Sequence, residues 1–109
     1  MSDKLTIYGM IASQPTRAVM WLCHIKQLPY NVVKVNPGTS RKKNPRKDFI
    51  ANVNPMGRIP GIKDVDGFTL YESGAIMTYL CEKYKFEDLY PTQSDPKRRA
   101  LIQQYLNFE

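Results

Sequence analysis

The chain has 109 residues, 42% of them hydrophobic, and its aromatic residues are seven Tyr, four Phe and one Trp. This composition supplies one hydrophobic core, and it argues against intrinsic disorder and against a second independent core. Sixteen basic and ten acidic residues give a net charge of +6, which favours an anionic ligand or surface. No apolar run reaches the roughly 20 residues of a membrane helix, and the N-terminus lacks a signal-peptide pattern, so we expect a cytoplasmic protein.

The first elements that the sequence predicts are a strand and a helix. Residues 4–8 alternate between polar and apolar side chains and are rich in strand-forming types. After a loop at 9–12, Ser13 and Pro15 form a typical helix start, with a capping hydroxyl and a proline in the first turn. Residues 16–27 then predict a helix. Its expected buried face consists of Ala18, Trp21, Leu22 and Ile25.

A second strand, a charged segment and a turn follow. Residues 30–35 alternate again, which predicts a strand. The segment 39–52 is weakly helical at most and is strongly basic. Its clustered cations are Arg41, Lys42, Lys43, Arg46 and Lys47. The sequence Asn-Pro-Met-Gly at 54–57 predicts a turn.

The next part of the chain predicts a hairpin and a third helix. Residues 59–63 and 68–71 are two short strand-like runs, and Asp66-Gly67 between them is a strong hairpin turn. Glu72-Ser73 then precedes a helix with an apolar stripe. The stripe consists of Ile76, Leu80 and Tyr84, with Met77 beside it.

The last predicted elements are a linker at 87–94 and a further helix at 95–109. The expected apolar face of this helix is Leu101, Ile102, Tyr105 and Leu106. The element order is therefore β-α-β-α-β-β-α plus one helix, which predicts a mixed α/β sheet covered by helices. We expect a first domain at 1–86. The last helix either packs back onto this domain or is the first part of a second domain whose remainder is absent, and we expect the second arrangement.

Cysteine and histidine are scarce in this sequence. Cys23 and Cys81 lie far apart in apolar, helix-like windows, and His24 is the single histidine. This pattern predicts two buried thiols in a reducing compartment. It argues against a disulfide framework, a metal site and a Ser-His nucleophile, so we assign no metal.

Three segments resemble the N-terminal domain of soluble glutathione transferases, especially the theta-like group and its serine-using relatives. They are 12–18 (ASQPTRA), 53–60 (VNPMGRIP) and 71–76 (YESGAI), the last followed by Tyr-Leu at 79–80, and the resemblance extends over 4–93. It implies a thioredoxin-like fold with a mixed four-stranded sheet, followed by an all-helical second domain. It also implies glutathione as co-substrate and a homodimer formed through the third and fourth helices and the hairpin.

Ser13 is the candidate catalytic residue. A hydroxyl at a strand-to-helix turn, beside the positive end of a helix dipole, can donate to a ligand thiolate and lower the pKa of the thiol. The resemblance assigns this serine to activation of the glutathione sulfur, whereas the plain alternative is a helix N-cap. Arg17, one turn further on, either adds electrostatic support or is a surface or dimer-interface charge.

The other candidate residues would bind glutathione. The resemblance makes Ile59-Pro60 a cis-proline turn, in which the main chain of Ile59 pairs with the cysteinyl part of glutathione like an added strand. It also implies that Ser73, at a helix N-terminus, binds the γ-glutamyl carboxylate and that Glu72 contacts the γ-glutamyl ammonium. Arg58 is the aligned cation for a glutathione carboxylate, and the residue for the glycyl carboxylate stays open. The plain alternatives are a trans turn, a helix cap and a solvated basic loop.

Two functions from different classes therefore remain. The first is a glutathione transferase domain for detoxification, which stabilises the glutathione thiolate for attack on a small electrophile. The second is a non-catalytic interaction or scaffold module of the same fold. A thiol–disulfide oxidoreductase would need a cysteine within 13–16, and none is there. The basic cluster alone suggests nucleic acid, but no nucleic-acid motif accompanies it.

Overall fold

The computed structural model describes residues 3–35, 46–86, 88 and 96–106. The chain divides into two compact units, Met1–Ser73 and Gly74–Glu109. The strands are β1 (Leu5–Gly9), β2 (Tyr30–Lys34), β3 (Gly61–Lys63) and β4 (Thr69–Tyr71), and the helices are α1 (Gln14–Ile25), α2 (Arg46–Asn52), α3 (Ser73–Lys83) and α4 (Pro96–Leu106). The cations at 41–43 and most of the predicted linker at 87–94 lie outside the described residues.

The first unit contains a four-stranded sheet in the order β2-β1-β3-β4. Strands β1 and β2 are parallel, with Ile7 opposite Val32, because the crossover through α1 returns the chain in the same direction. Strand β3 is antiparallel to both β1 and β4. The sheet is therefore mixed, as predicted, and its central strand β1 buries Leu5, Ile7 and Gly9.

The hairpin between β3 and β4 is built by local turn chemistry. Gly67 has φ 92°, which favours glycine, and its N–H donates to the carbonyl of Asp64 over 2.9 Å. The side chain of Asp66 accepts from the N–H of Phe68 over 3.0 Å. This confirms the predicted Asp66-Gly67 turn, which sets the register that places Tyr71 opposite Gly61.

Helix α2 is held by burial rather than by helix propensity. The segment is short and charged, but Phe49 is fully buried and packs with Val35 and Val53, and Tyr8 and Ile59 contact this cluster. Tertiary packing of one apolar side is what usually stabilises so short a helix. The cluster therefore links the end of β2, helix α2 and the loop that leads to β3.

The predicted buried face of α1 is wrong in part. Trp21 is 66% exposed and Ile25 is 51% exposed, although Leu22 is buried as expected. The residues that α1 buries are Thr16, Val19, Leu22 and Cys23. The apolar run at 18–23 covers every side of the helix, so hydrophobic spacing alone could not select the face that meets the sheet.

The second unit contains the rest of α3 and helix α4. Ile76 and Leu80 are buried, which confirms the core of the predicted stripe. Tyr84 lies beyond the end of α3, is 40% exposed and stacks on Phe86 with ring centroids 5.8 Å apart, so its predicted burial is wrong. Helix α4 begins at Pro96, where a missing N–H costs nothing. Of its predicted apolar face, Leu101 is exposed, and the other three side chains lie outside the described residues.

Both cysteine side chains are buried, as the sequence predicts. Burial raises the pKa of the Cys23 thiol to about 11, so Cys23 carries almost no thiolate at neutral pH and is a packing residue. Among the described helices, none is both long enough and apolar enough to cross a membrane.

Candidate functional site

The sheet brings the predicted site residues to one of its ends. Strand β1 runs toward Ser13, β3 begins directly after Pro60, and β4 ends directly before Glu72. The register aligns Tyr8 with Gly61 and Gly61 with Tyr71. The loop after β1, the loop before β3 and the start of α3 therefore lie at the same end of the sheet in the first unit.

Ser13 caps helix α1. Its backbone is extended, with φ −82° and ψ 121°, and its Oγ accepts a hydrogen bond from the N–H of Thr16 over 3.3 Å. The N–H of Ser13 donates to the carbonyl of Met10 over 2.9 Å, which fixes the approach to the helix. The cap uses a lone pair of the oxygen, so it does not consume the hydroxyl hydrogen. The capping role is thus observed, and it is compatible with donation to a ligand.

Arg17 braces the loop before Ser13. Its Nη1 donates to the carbonyl of Ile11 over 2.8 Å, and its side chain is exposed. The guanidinium therefore ties the first turn of α1 to the loop that carries the serine. Through this contact Arg17 stabilises the loop, and its positive charge lies on the helix turn next to Ser13.

The turn before β3 has the form that the resemblance implies. The Ile59-Pro60 peptide bond is cis. Pro60 is buried and Ile59 is half-buried, because the Ile59 side chain packs on the cluster of Val35, Phe49 and Val53. Within the described part of the chain, neither the N–H nor the carbonyl of Ile59 has a backbone hydrogen-bond partner.

Glu72 and Ser73 form the junction between β4 and α3. Ser73 is the first residue of the helix, where backbone N–H groups have no intrahelical acceptor. Glu72 is exposed and has φ 76°, a left-handed conformation that is costly for a residue with a side chain. The predicted pair is therefore placed at a helix N-terminus, which suits an anionic group.

The structure describes Arg58 but only part of the basic cluster. The Arg58 side chain is exposed, and its carbonyl accepts from the Nδ2 of Asn54 over 2.9 Å. Of the cluster, Lys47 is an exposed residue of α2. Within the described ranges, no three His, Cys, Asp or Glu side chains group as metal ligands do.

Sequence reasoning missed two buried polar residues next to the site. Asn54 is 2% exposed, although the pattern around it indicated only a turn. Thr16 is fully buried, and its Oγ1 has no hydrogen-bond partner among the described residues. For Asn54, the available sequence signal was its position directly before a proline. For Thr16, no local sequence pattern indicates a buried hydroxyl.

Comparison with known proteins places this fold and these segments in one family. A family model described as the glutathione S-transferase N-terminal domain matches residues 7–95. Glutathione S-transferase theta-1 of Rattus norvegicus is 38% identical over 105 residues, which cover 96% of this chain and 42% of that protein. Glutathione S-transferase 1 of Manduca sexta is 37% identical over 106 residues, which cover 96% of this chain and 46% of that protein.

A solved structure gives the same result. The crystal structure of human glutathione transferase theta-2, in complex with glutathione and an unknown ligand, matches with a TM-score of 0.76 at 35% identity. The match covers 94% of this chain and 40% of that one. The chain thus spans less than half the length of these relatives. Both the thioredoxin-like fold and the theta-like resemblance are confirmed, and the chain belongs to the glutathione S-transferase family, whose N-terminal domain it contains.

Proposed function

We propose that this chain is the glutathione-binding part of a glutathione transferase, in which Ser13 stabilises the glutathione thiolate for attack on a small electrophile. The observation that carries the proposal is that three segments meet at one end of the sheet. One of them contains Ser13, which caps helix α1. The glutathione-bound structure of human theta-2 supports the ligand. Homodimerisation, a role in detoxification and a cytoplasmic location stay predictions.

The proposed chemistry needs no covalent bond to the protein. The glutathione thiol loses its proton to solvent, and the Ser13 hydroxyl donates to the resulting thiolate. The N-terminus of α1 adds positive potential, which favours the anion further. The sulfur then forms a bond to the electrophilic carbon, and a leaving group departs with the electron pair of the broken bond. A hydrogen bond to a charged group contributes about 1.5–3 kcal/mol, which corresponds to roughly one to two pKa units.

The remaining residues would orient the tripeptide. The main chain of Ile59 pairs with the cysteinyl unit, and Ser73 at the start of α3 binds the γ-glutamyl carboxylate. Glu72 faces the γ-glutamyl ammonium, and Arg58 supplies a cation for a carboxylate. Arg17 acts through the loop that it ties, since its guanidinium already donates to Ile11.

Calorimetric titration of the chain with glutathione tests this function. We expect saturable binding that Ser73→Ala weakens by about tenfold or more, the loss of one charge-assisted contact. Thr78→Val is the matched control, because Thr78 lies on the same helix and its hydroxyl donates only to the carbonyls of Gly74 and Ala75 in the described residues. The absence of binding to the folded chain would contradict the proposal. Binding without a lowered thiol pKa would instead favour the non-catalytic module.

Glu72 offers a second test, in which stability and binding change in opposite directions. Glu72→Gly should stabilise the fold by about 1 kcal/mol, because glycine adopts positive φ without the penalty that glutamate incurs. The same change should weaken glutathione binding, since the carboxylate is lost. Glu72→Gln keeps the backbone penalty, so it should weaken binding without stabilising the fold. Urea unfolding and calorimetry measure the two effects, and a loss of stability in Glu72→Gly would contradict this assignment.

A further inference from the structure

Asn54 uses all of its polar groups to build the loop between α2 and β3. Its N–H donates to the carbonyl of Phe49, and its carbonyl accepts from the N–H of Gly57, each over 2.9 Å. In its side chain, Oδ1 accepts from the N–H of Met56 and Nδ2 donates to the carbonyl of Arg58, again at 2.9 Å each. The residue is 2% exposed. A buried residue whose backbone N–H, backbone carbonyl, Oδ1 and Nδ2 each form a hydrogen bond holds its surroundings in one arrangement.

The bond to Arg58 determines the direction of the next N–H group. The carbonyl of Arg58 and the N–H of Ile59 belong to the same peptide unit, which is planar. In a trans peptide these two groups point in opposite directions. Because Asn54 Nδ2 holds the carbonyl, the Ile59 N–H is directed away from Asn54.

The loop before Pro60 is therefore restrained twice and in different ways. Packing of the Ile59 side chain on Val35, Phe49 and Val53 fixes where the residue lies. The Asn54 amide fixes how the preceding peptide is rotated about the chain. Loss of the amide should leave Ile59 in place but free the orientation of its N–H.

We propose that Asn54 is a positioning residue for glutathione, which directs the Ile59 N–H toward the cysteinyl carbonyl of the bound tripeptide. This inference rests on the proposed function, because the main chain of Ile59 must be a binding element for it to hold. Asn54 itself does not touch the ligand, since its side chain is buried and its polar groups are already bonded. Its effect is on affinity, whereas Ser13 acts on the thiol.

Asn54→Asp tests the proposal with little change of shape. It keeps the oxygen that faces Met56, but at neutral pH it presents a carboxylate to the Arg58 carbonyl in place of a donor. Calorimetry should show glutathione binding weakened by about tenfold or more at pH 7. Burial raises the pKa of such a carboxyl, so binding should recover as the pH falls to about 5, where the protonated group donates to the carbonyl as the amide did.

Asn54→Ala separates this effect from simple damage to the loop. It introduces no charge, so it carries the test if the aspartate variant does not fold. It should bind glutathione as weakly as Asn54→Asp at pH 7, but it should not recover at lower pH, because alanine has no donor. In both variants, the ultraviolet absorbance of the bound thiolate should give the wild-type thiol pKa, since the loop of Ser13 is held by other contacts.

Leu5→Ala is the control for general loss of stability. Leu5 is 5% exposed and lies at the start of β1, whereas Ser13 follows the other end of that strand. This variant should lose stability but bind glutathione within about twofold of wild type. Three results would overturn the inference but not the proposed function. They are wild-type glutathione affinity in both Asn54 variants, an equal loss of glutathione affinity in Leu5→Ala, and the same pH dependence of binding in the two Asn54 variants. A wild-type chain that does not bind glutathione would overturn the inference together with the proposed function.

Discussion

Ser13→Ala should reduce the rate of glutathione conjugation at neutral pH by about tenfold or more while changing glutathione affinity little. The reason is that in the proposed complex the hydroxyl contacts the sulfur, whereas most of the proposed binding contacts are made to the carboxylates and the main chain of the tripeptide. Without the donor, the pKa of the bound thiol should rise by roughly one to two units, and the thiolate fraction at pH 7 falls accordingly. An equal loss of rate and affinity would argue against the thiolate role.

Two further substitutions separate this role from the helix cap that the structure shows. Glycine is a tolerable N-cap, so Ser13→Gly should cost only a few tenths of a kcal/mol of stability, against about 1 kcal/mol for Ser13→Ala. Both variants lack the hydroxyl and should raise the thiol pKa alike. Ser13→Thr keeps a hydroxyl and should retain the lower thiol pKa. Reaction rates that follow stability across this series would instead assign Ser13 to capping alone.

Gly9→Ala should destabilise the chain by about 3 kcal/mol, because there is no room for a side chain where β1 meets α1. A Cβ at Gly9 would lie 2.5 Å from both Cγ2 and Oγ1 of Thr16, and 3.1 Å from its Cβ. Thr16 is fully buried, so its neighbours leave its side chain little space to move. The start of α1 would have to move off the strand, and Ser13 would move with it. Urea unfolding should therefore show the loss of stability, and glutathione conjugation should fall as well.

A second substitution should reverse most of this damage. Thr16→Ala removes the two atoms at 2.5 Å and leaves a contact that a shift of a few tenths of an ångström relieves. The double variant Gly9→Ala/Thr16→Ala should therefore be more stable than Gly9→Ala, although Thr16→Ala alone loses buried contacts. Gly67→Ala is the control. Among the described residues, no atom beyond its chain neighbours lies within 4 Å of a Cβ built at Gly67, so its cost comes from the backbone φ of 92° and not from a steric clash. Thr16→Ala should therefore not relieve the loss of stability in Gly67→Ala. Additive effects of the Gly9 and Thr16 substitutions would contradict the steric account.

Elements with local causes could be predicted from the sequence. The cap at Ser13 with Pro15 in the first turn, and the hairpin at Asp66-Gly67, depend on chemistry within a few residues, and the structure contains both. The cis bond before Pro60 needed the resemblance, because an isoleucine–proline pair alone does not select the isomer.

Features decided by tertiary packing could not be predicted. The spacing of Trp21 fits one helix face and predicts burial, but the residues that α1 buries lie on another face of an almost wholly apolar stretch. Helix α2 exists because Phe49 is buried, which its charged neighbours conceal. Asn54 looked like an ordinary turn residue, and only the folded loop shows its amide bonded on both sides.

The pKa of the glutathione thiol in the complex tests the central claim most directly. It is measured by following the ultraviolet absorbance of the thiolate against pH, with the wild-type chain present at saturating concentration. Free thiols of this type have a pKa of about 8.5, and we predict that binding lowers the value by at least one unit. A bound thiol that titrates with the pKa of free glutathione would contradict the claim that Ser13 and the N-terminus of α1 stabilise the thiolate.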